Sequence, residues 1–270
     1  MIVLDPEFAA LLAPDARSLE GLMALNGAAL RDVDGRRTFR IELGGRGFYV
    51  KQHSGVGWRH IAKSLSGLRS PVLGARTEWQ ALARLAELGI AAPRPVAFAE
   101  AGANPAGRRS VLVMTEIAPA ISLEDIALGR VPLPGLTERR ALIAEVAGIA
   151  RTLHGAGINH RDLYLCHFLM PVDADGRRSG PLALIDLHRA QMRARVPARW
   201  LVKDLSALIF SAAPLALSRA DRLRFLAAYE GKPWRHVPAE RRRLWAAAAA
   251  KAARLTRRLG GPATGDTAAG

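Results

Sequence analysis

Two aspartates are set among residues that suggest chemistry. Asp162 lies in "INHRDLYLCHFLM", where a charged triplet interrupts an apolar run, and Asp186 lies in "LIDLH". The runs between them, "HFLMPV" and "PLALIDLH", are joined by the turn-forming "DADGRRSG" and read as a small hairpin, whose edges are brought together in space. Two carboxylates held close, one free to accept a proton and one free to bind a hard cation, are what Mg-assisted phosphoryl transfer to a hydroxyl requires. Upstream, Lys51 ends a strand and Glu78 opens a helix. A strand lysine paired by a helical glutamate and aimed at the phosphates of ATP is the other half of such a site.

Each of these residues also has a plainer explanation. Taken singly, either aspartate could cap a turn, and Glu78 could be ordinary first-turn helix charge. Strand lysines are mostly solvated, but only five of the 39 basic residues here are lysines, and Lys and Arg are not interchangeable where a compact ammonium is needed. His160 reads as a packed, hydrogen-bonded loop residue, since Asp162 already fills the role of base. Cys166 has no evident partner base and reads as buried filler.

The elements that must position these residues follow from periodicity. "RRTFRIEL" alternates and "GRGFYVKQH" follows a Gly-Gly turn, giving an antiparallel hairpin that carries Lys51. "RTEWQALARLAELG" places Trp79, Leu82, Leu85 and Leu88 at helical spacing before Gly89. "PVAFAEA" and "SVLVMTEIA" are two further strands. Beyond them the pattern turns helical: Ser122 and Asp125 have capping spacing, Thr137 precedes a long helix, and "ERRRLWAAAAAKAARLTRRLG" is a helix with a basic face. The expected fold is α+β, an antiparallel sheet with one helix followed by a mainly helical half. The polar, glycine-rich end, residues 260–270, is expected to be disordered.

With 270 residues, half of them hydrophobic, the chain can bury a full core. The single cysteine excludes an internal disulfide and suits a reducing compartment. No signal-peptide pattern opens the chain and no apolar run reaches the roughly 20 residues of a membrane span, so the expected address is cytoplasmic. A net charge of +15 points to acidic partners, although genome base composition also produces an excess of Arg and Ala.

At this point the motifs resemble a known family. "YVKQH", "TEW", "MTE", "NHRD" and "IDLH" occur in the order of the two-lobed protein-kinase-like fold, and the match covers most of the chain. More narrowly, "PVLGARTEW", "GINHRDLYLCHFL" and "LIDLHRAQMRARVPARW" resemble the bacterial lipopolysaccharide core heptose kinases, within the wider family that phosphorylates Kdo and heptose. The resemblance implies an N-lobe at 1–117 that binds ATP and a C-lobe at 118–259 that carries catalysis and the acceptor. It makes Asp162 the catalytic base and Asp186 the ligand of Mg. Lys51 would hold the ATP phosphates, fixed by Glu78, and Met114, Thr115, Glu116 and Ile117 would link the lobes beside adenine. Asp204 would brace the catalytic loop.

Three departures qualify that pattern. Five residues after Asp162, where a protein kinase has a metal-binding Asn, stands His167, either as a metal ligand or as a loop anchor; imidazole is a poor ligand for Mg. Asp186 is followed by Leu-His rather than Phe-Gly. No Gly-x-Gly-x-x-Gly precedes Lys51, so "VDGRRTF", or else "GGRGF", would cover the phosphates, with Arg36 or Arg37 as anion contact.

The implied acceptor is an anionic, lipid-anchored sugar of the lipopolysaccharide inner core, met at the cytoplasmic face of the inner membrane. "WRHIAKSLSGLR" and "HRAQMRARVPARW" are the runs that could face it, and the C-terminal helix could rest on anionic lipid. An acidic protein such as acyl carrier protein would fit the same charge. The alternatives are a kinase of Kdo or another small molecule, for which the ATP-side residues would be identical, and a nucleotide-binding pseudokinase, which the presence of Lys51 and both aspartates disfavours. Nothing resembles a nucleic-acid reader module, so no nucleic acid partner is expected.

Overall fold

The computed structural model describes residues 1–33, 35–55, 57–66 and 74–260. The chain divides into two compact units: Met1–Glu87 with Ala92–Ala118 and Leu187–Arg189, and Leu88–Ala91 with Pro119–Asp186 and Ala190–Gly270.

The first unit runs β1 (Ile2–Leu4), α1 (Pro6–Ala10), α2 (Leu19–Ala24), β2 (Ala28–Val33), β3 (Arg36–Leu43), β4 (Arg46–His53), α3 (Gly57–Ser66), α4 (Arg76–Glu87), β5 (Pro95–Ala101) and β6 (Arg109–Thr115). Its strands form one antiparallel sheet in the order β1-β5-β6-β4-β3-β2. Strand alternation sends Phe39, Ile41, Phe48 and Val50 to one face, where they pack with Phe8, Leu12, Leu19 and Leu22 of the N-terminal helices. Gln52 shares that face and donates to the carbonyls of Leu22, Met23 and Leu25, which closes the end of α2. The opposite face carries Lys51, Leu112 and Phe98, in register across β4, β6 and β5, and α4 covers it, with Trp79 stacked on Phe98 at 4.7 Å.

The expectation of one helix in this half is therefore corrected: α1, α2 and α3 accompany α4, and β1 and β2 extend the sheet. The five and six residues of α1 and α2 are too few to show a helical period, and caps define them instead. Asp5 accepts from the amides of Glu7 and Phe8 ahead of Pro6, and Ser18 accepts from Gly21.

The second unit runs β7 (Ala120–Ser122), α5 (Leu123–Ala127), α6 (Leu136–Gly155), β8 (Ile158–Asn159), β9 (Phe168–Pro171), β10 (Ala183–Leu184), β11 (Gln191–Met192), α7 (Ala198–Ser211), α8 (Arg219–Glu230) and α9 (Ala239–Leu259). Ser122 caps α5 as its spacing predicts, accepting from the Asp125 amide. The long helix begins one residue before the expected cap: Gly135 is its N-cap and Thr137 lies in its first turn. The expected hairpin exists as β9 paired with β10, with β7 on its other edge. No helix among the described residues is long and apolar enough to cross a membrane. Of the end expected to be disordered, 260–270, Gly260 is instead the C-cap of α9, its amide donating to the Thr256 carbonyl, and 261–270 lie outside the described residues.

The two-residue pair β8–β11 sets the loop that carries Asp162, and it depends on Gly157. Gly157 has φ +78° and a Cβ there would lie 1.8 Å from the Arg193 carbonyl oxygen, while its own carbonyl accepts from the Arg193 amide. Gly157→Ala is expected to lower stability by at least about 2 kcal/mol, from left-handed strain and the broken pairing together. A urea midpoint unchanged from native would contradict this.

Candidate active site

In the first unit, β4 and α4 bring Lys51 and Glu78 together, with Nζ 2.7 Å from Oε1. The Lys51 side chain is 16% exposed and that of Glu78 only 1%. Alternation turns Lys51 toward α4, and Glu78 stands in the first turn of that helix, where the dipole favours a carboxylate. Its Oε2 is buried and accepts no hydrogen bond among the described residues, so the ammonium is its main compensation.

Register separates the two turns proposed to cover phosphates. Arg36 pairs with His53, two residues beyond Lys51, whereas the Gly44–Gly45 turn lies at the other end of β4. The β2–β3 turn, of which Asp34 is outside the described residues, is thus the one at the Lys51 end. Arg37 is engaged elsewhere, donating to Asn26 Oδ1 at 2.6 Å and lying over Phe39.

His53, beside Lys51 on β4, is buried and pushed down to about 3, chiefly by burial, with the positive charges of Arg36 and Lys51 and the neighbouring His188 adding to it. The fold thus holds it neutral. Above pH 6.5 this has no effect on stability; below it, the unfolded chain takes up a proton that the folded chain refuses. His53 is therefore expected to remove up to about 1.4 kcal/mol of stability per pH unit between 6.5 and its folded value. Urea midpoints at pH 7 and pH 5 should fall further apart in the native chain than in His53→Gln; equal falls would show that His53 is not the source.

In the segment 114–117, Met114 is core and Ile117 half-buried. Thr115 Oγ1 accepts from the Arg94 amide. Glu116 receives the Arg40 guanidinium through Nε at 2.9 Å and Nη2 at 2.8 Å, which holds its carboxyl below the usual range. Gly47 makes room for that pair, since a Cβ there would lie 1.8 Å from Glu116 Oε2. The polar side chains of Thr115 and Glu116 are therefore engaged within the unit.

In the second unit, the loop after β8 is built around Asp204 of α7, which is fully buried. Its Oδ2 accepts from the His160 amide at 2.7 Å and its Oδ1 from the Arg161 amide at 2.8 Å. His154 Nε2 lies 3.3 Å from Oδ2, and His154 Nδ1 meets the Tyr229 hydroxyl at 2.8 Å. Three non-glycine residues among those described have positive φ, and two of them are here: Arg161 at 76° and Asp186 at 61°. Such backbone persists where the surroundings over-determine it, commonly at functional sites.

His160 is buried, held to the Ile185 carbonyl at 3.0 Å, and pushed down to about 4 by burial and by His167. It is a neutral packing residue. His167 Nδ1 donates to the Asp162 carbonyl at 2.6 Å, and its ring stacks on His160. That bond assigns a proton to Nδ1, and Nε2 lies 3.6 Å from Asp186 Oδ2. The Cys166 thiol is pushed up to about 12, first by burial and then by Glu124, Asp186 and Asp162, so it is no nucleophile. Among the described residues no cluster of three or more His, Cys, Asp or Glu forms a metal cage. Asp186 and His167 are the side chains here that could hold a metal, and Mg is normally held by one or two carboxylates with substrate phosphates and water. Sequence reasoning missed Lys203, whose Nζ lies 3.3 Å from Asp162 Oδ1; one available signal was a lysine in an arginine-rich chain, directly before Asp204.

The sequence profile of the lipopolysaccharide kinase (Kdo/WaaP) family matches residues 20–229. The chain belongs to this family. It is 48% identical over 225 residues to the lipopolysaccharide core heptose(I) kinase WaaP of Pseudomonas aeruginosa, covering 81% of this chain and 82% of that one. With the protein of the same name from Escherichia coli K12 it shares 42% identity over 236 residues, 87% and 89% of the two chains. A solved structure of WaaP in complex with acyl carrier protein superposes with a TM-score of 0.78 at 41% identity, covering 94% of this chain and 99% of that one. The fold is kinase-like, and this Kdo/WaaP kinase is a phosphotransferase of a kinase family, which implies ATP use.

Proposed function

We propose that this Kdo/WaaP kinase transfers the terminal phosphoryl of ATP to a heptose hydroxyl of the lipopolysaccharide inner core. The observation that carries this is the Asp162 loop, whose strained backbone is held by a buried carboxylate so that Asp162 is presented in one geometry. The names of its relatives, heptose(I) kinases at 42% and 48% identity, supply the acceptor.

In this reading Asp162 orients the sugar hydroxyl and takes its proton as attack proceeds. Lys51, fixed by Glu78, binds the phosphates of ATP, and Arg36 at the β2–β3 turn takes the place of a glycine-rich backbone. The backbone of residues 114–117 contacts adenine. Asp186 would hold Mg, with Nε2 of His167 as second donor or as the group that orients Asp186. When bound, Mg neutralises charge developing on the transferred phosphoryl. Residues 1–117 serve the nucleotide and 118–259 the chemistry and the acceptor.

The partners follow from charge. A relative was solved with acyl carrier protein, and a chain of net charge +15 suits an acidic carrier of that kind. Arg242, Arg243, Arg254, Arg257 and Arg258 are exposed along α9. They favour peripheral contact with the anionic cytoplasmic face of the inner membrane, close to a lipid-anchored acceptor.

The test is label transfer from γ-labelled ATP, with Mg, to inner-core lipopolysaccharide lacking heptose phosphate. The expected result is label on heptose. Label on Kdo, or label only on a soluble small molecule, would overturn the acceptor assignment.

A further inference from the structure

The residues that follow Asp162 in its loop supply no cation, and Arg161 before it lays its guanidinium over the Trp200 ring at 5.1 Å. The residues after Asp162 are Leu163, Tyr164, Leu165 and Cys166, and His167 is occupied by the Asp162 carbonyl. The cation comes instead from α7. Lys203 Nζ donates to the Arg161 carbonyl and stands 3.3 Å from Asp162 Oδ1. It precedes Asp204, so two adjacent residues of opposite charge hold one peptide unit after the other: Asp204 takes the amides of His160 and Arg161, and Lys203 takes the carbonyl of Arg161 and the carboxylate of Asp162. Arg161 is the residue at φ 76°, a conformation that costs about 1–3 kcal/mol unless its surroundings fix it.

From this we infer that Lys203 is a positioning residue for phosphoryl transfer, aiming the Asp162 carboxylate by its charge and locking the Arg161 peptide. The inference rests on the assignment of Asp162 as base. An ionised carboxylate beside an anionic phosphoryl is repelled by it, and a fixed ammonium on the carboxylate offsets that repulsion while holding its direction. Lysine suits the place: a compact ammonium with three rotatable donors reaches a carbonyl and a carboxylate at once, whereas a guanidinium fork is planar and larger. An ordinary surface ion pair would contribute little, but this one is tied to a strained backbone, and the Lys203 side chain is only 27% exposed.

The test compares Lys203→Met, Lys203→Arg and Lys203→Cys with the native enzyme in transfer from ATP to the lipopolysaccharide acceptor. Lys203→Met is expected to lower kcat about 100-fold with KM for ATP within about threefold, the size of effect seen when one preorganised polar group is removed. Lys203→Arg should keep KM and recover less than a tenth of kcat. Aminoethylation of Lys203→Cys restores a compact ammonium and should restore activity, while iodoacetamide, which adds a neutral amide of similar reach, should not. The native chain treated with the same two reagents is the control for alkylation at Cys166. Rescue by both reagents, or kcat of Lys203→Met within threefold of native, overturns the inference. If the native protein labels no acceptor, the heptose-kinase reading fails by itself, and a crystal structure of Lys203→Met still decides the positioning. Movement of the Arg161 peptide and Asp162 carboxylate supports it, and an unchanged loop refutes it.

Discussion

Asp162→Asn is expected to reduce transfer of phosphoryl from ATP to the acceptor by about 10³-fold or more, while leaving the melting temperature within a few degrees of native. The two halves of that expectation have separate sources. Asn is nearly isosteric with Asp but accepts no proton at neutral pH, so the variant loses the general base, whose usual worth is about 10²–10⁴-fold, together with the charge that Lys203 faces at 3.3 Å. Stability is spared because the loop also has backbone anchors that do not involve the Asp162 side chain. Its amides are tied to Asp204 and its carbonyls to Lys203 and His167, and these bonds survive the substitution. Single-turnover label transfer with melting curves on the same preparations separates the alternatives. Full activity in the variant would remove Asp162 from the role of base. Lost activity with a large fall in melting temperature would make it a structural residue instead.

How much of this could be read from the sequence depends on how local each feature is. β3, β4, α4, β5 and β6 declare themselves through alternation or a helical period, because each buries one face along its length. β1, β8 and β11, with three, two and two residues, carry no period. They exist because a partner strand is waiting, as Ile2, Val3 and Leu4 show against Ala99, Phe98 and Ala97. The site divides along the same line. Asp162 was conspicuous as charge in an apolar run, where polar residues against the local pattern signal function. Lys203 was not, since its neighbours in sequence are helical and the carboxylate it meets lies 41 positions earlier. His154 was hidden for a similar reason: it completes the apolar-looking end of α6, and its partners, Asp204 and Tyr229, lie 50 and 75 positions away.

Those hidden partners make Asp204 the residue whose loss should be most damaging to the second unit. Asp204→Ala leaves two backbone amides, at His160 and Arg161, and the His154 ring without their acceptor, all of them buried. Each unsatisfied buried donor costs about 1–3 kcal/mol, and no solvent reaches the site to replace the carboxylate. The expected destabilisation is therefore about 3–5 kcal/mol, and transfer activity should be lost because Arg161 no longer has a reason to keep φ at 76°. Asp204→Asn separates charge from shape: it keeps one acceptor oxygen but turns an NH₂ toward a second amide, so it should fall between Ala and native in stability while remaining nearly inactive. Hydrogen exchange at the His160 and Arg161 amides reads the loop directly. Both amides should exchange faster in Asp204→Ala by at least 100-fold, the equivalent of about 2.7 kcal/mol, whereas Tyr229→Phe, which removes only the hydroxyl behind His154, should leave them protected. If Tyr229→Phe releases the amides as fully as Asp204→Ala, the loop is held by the whole chain of bonds from Tyr229 through His154, and Asp204 is one link in it rather than its anchor.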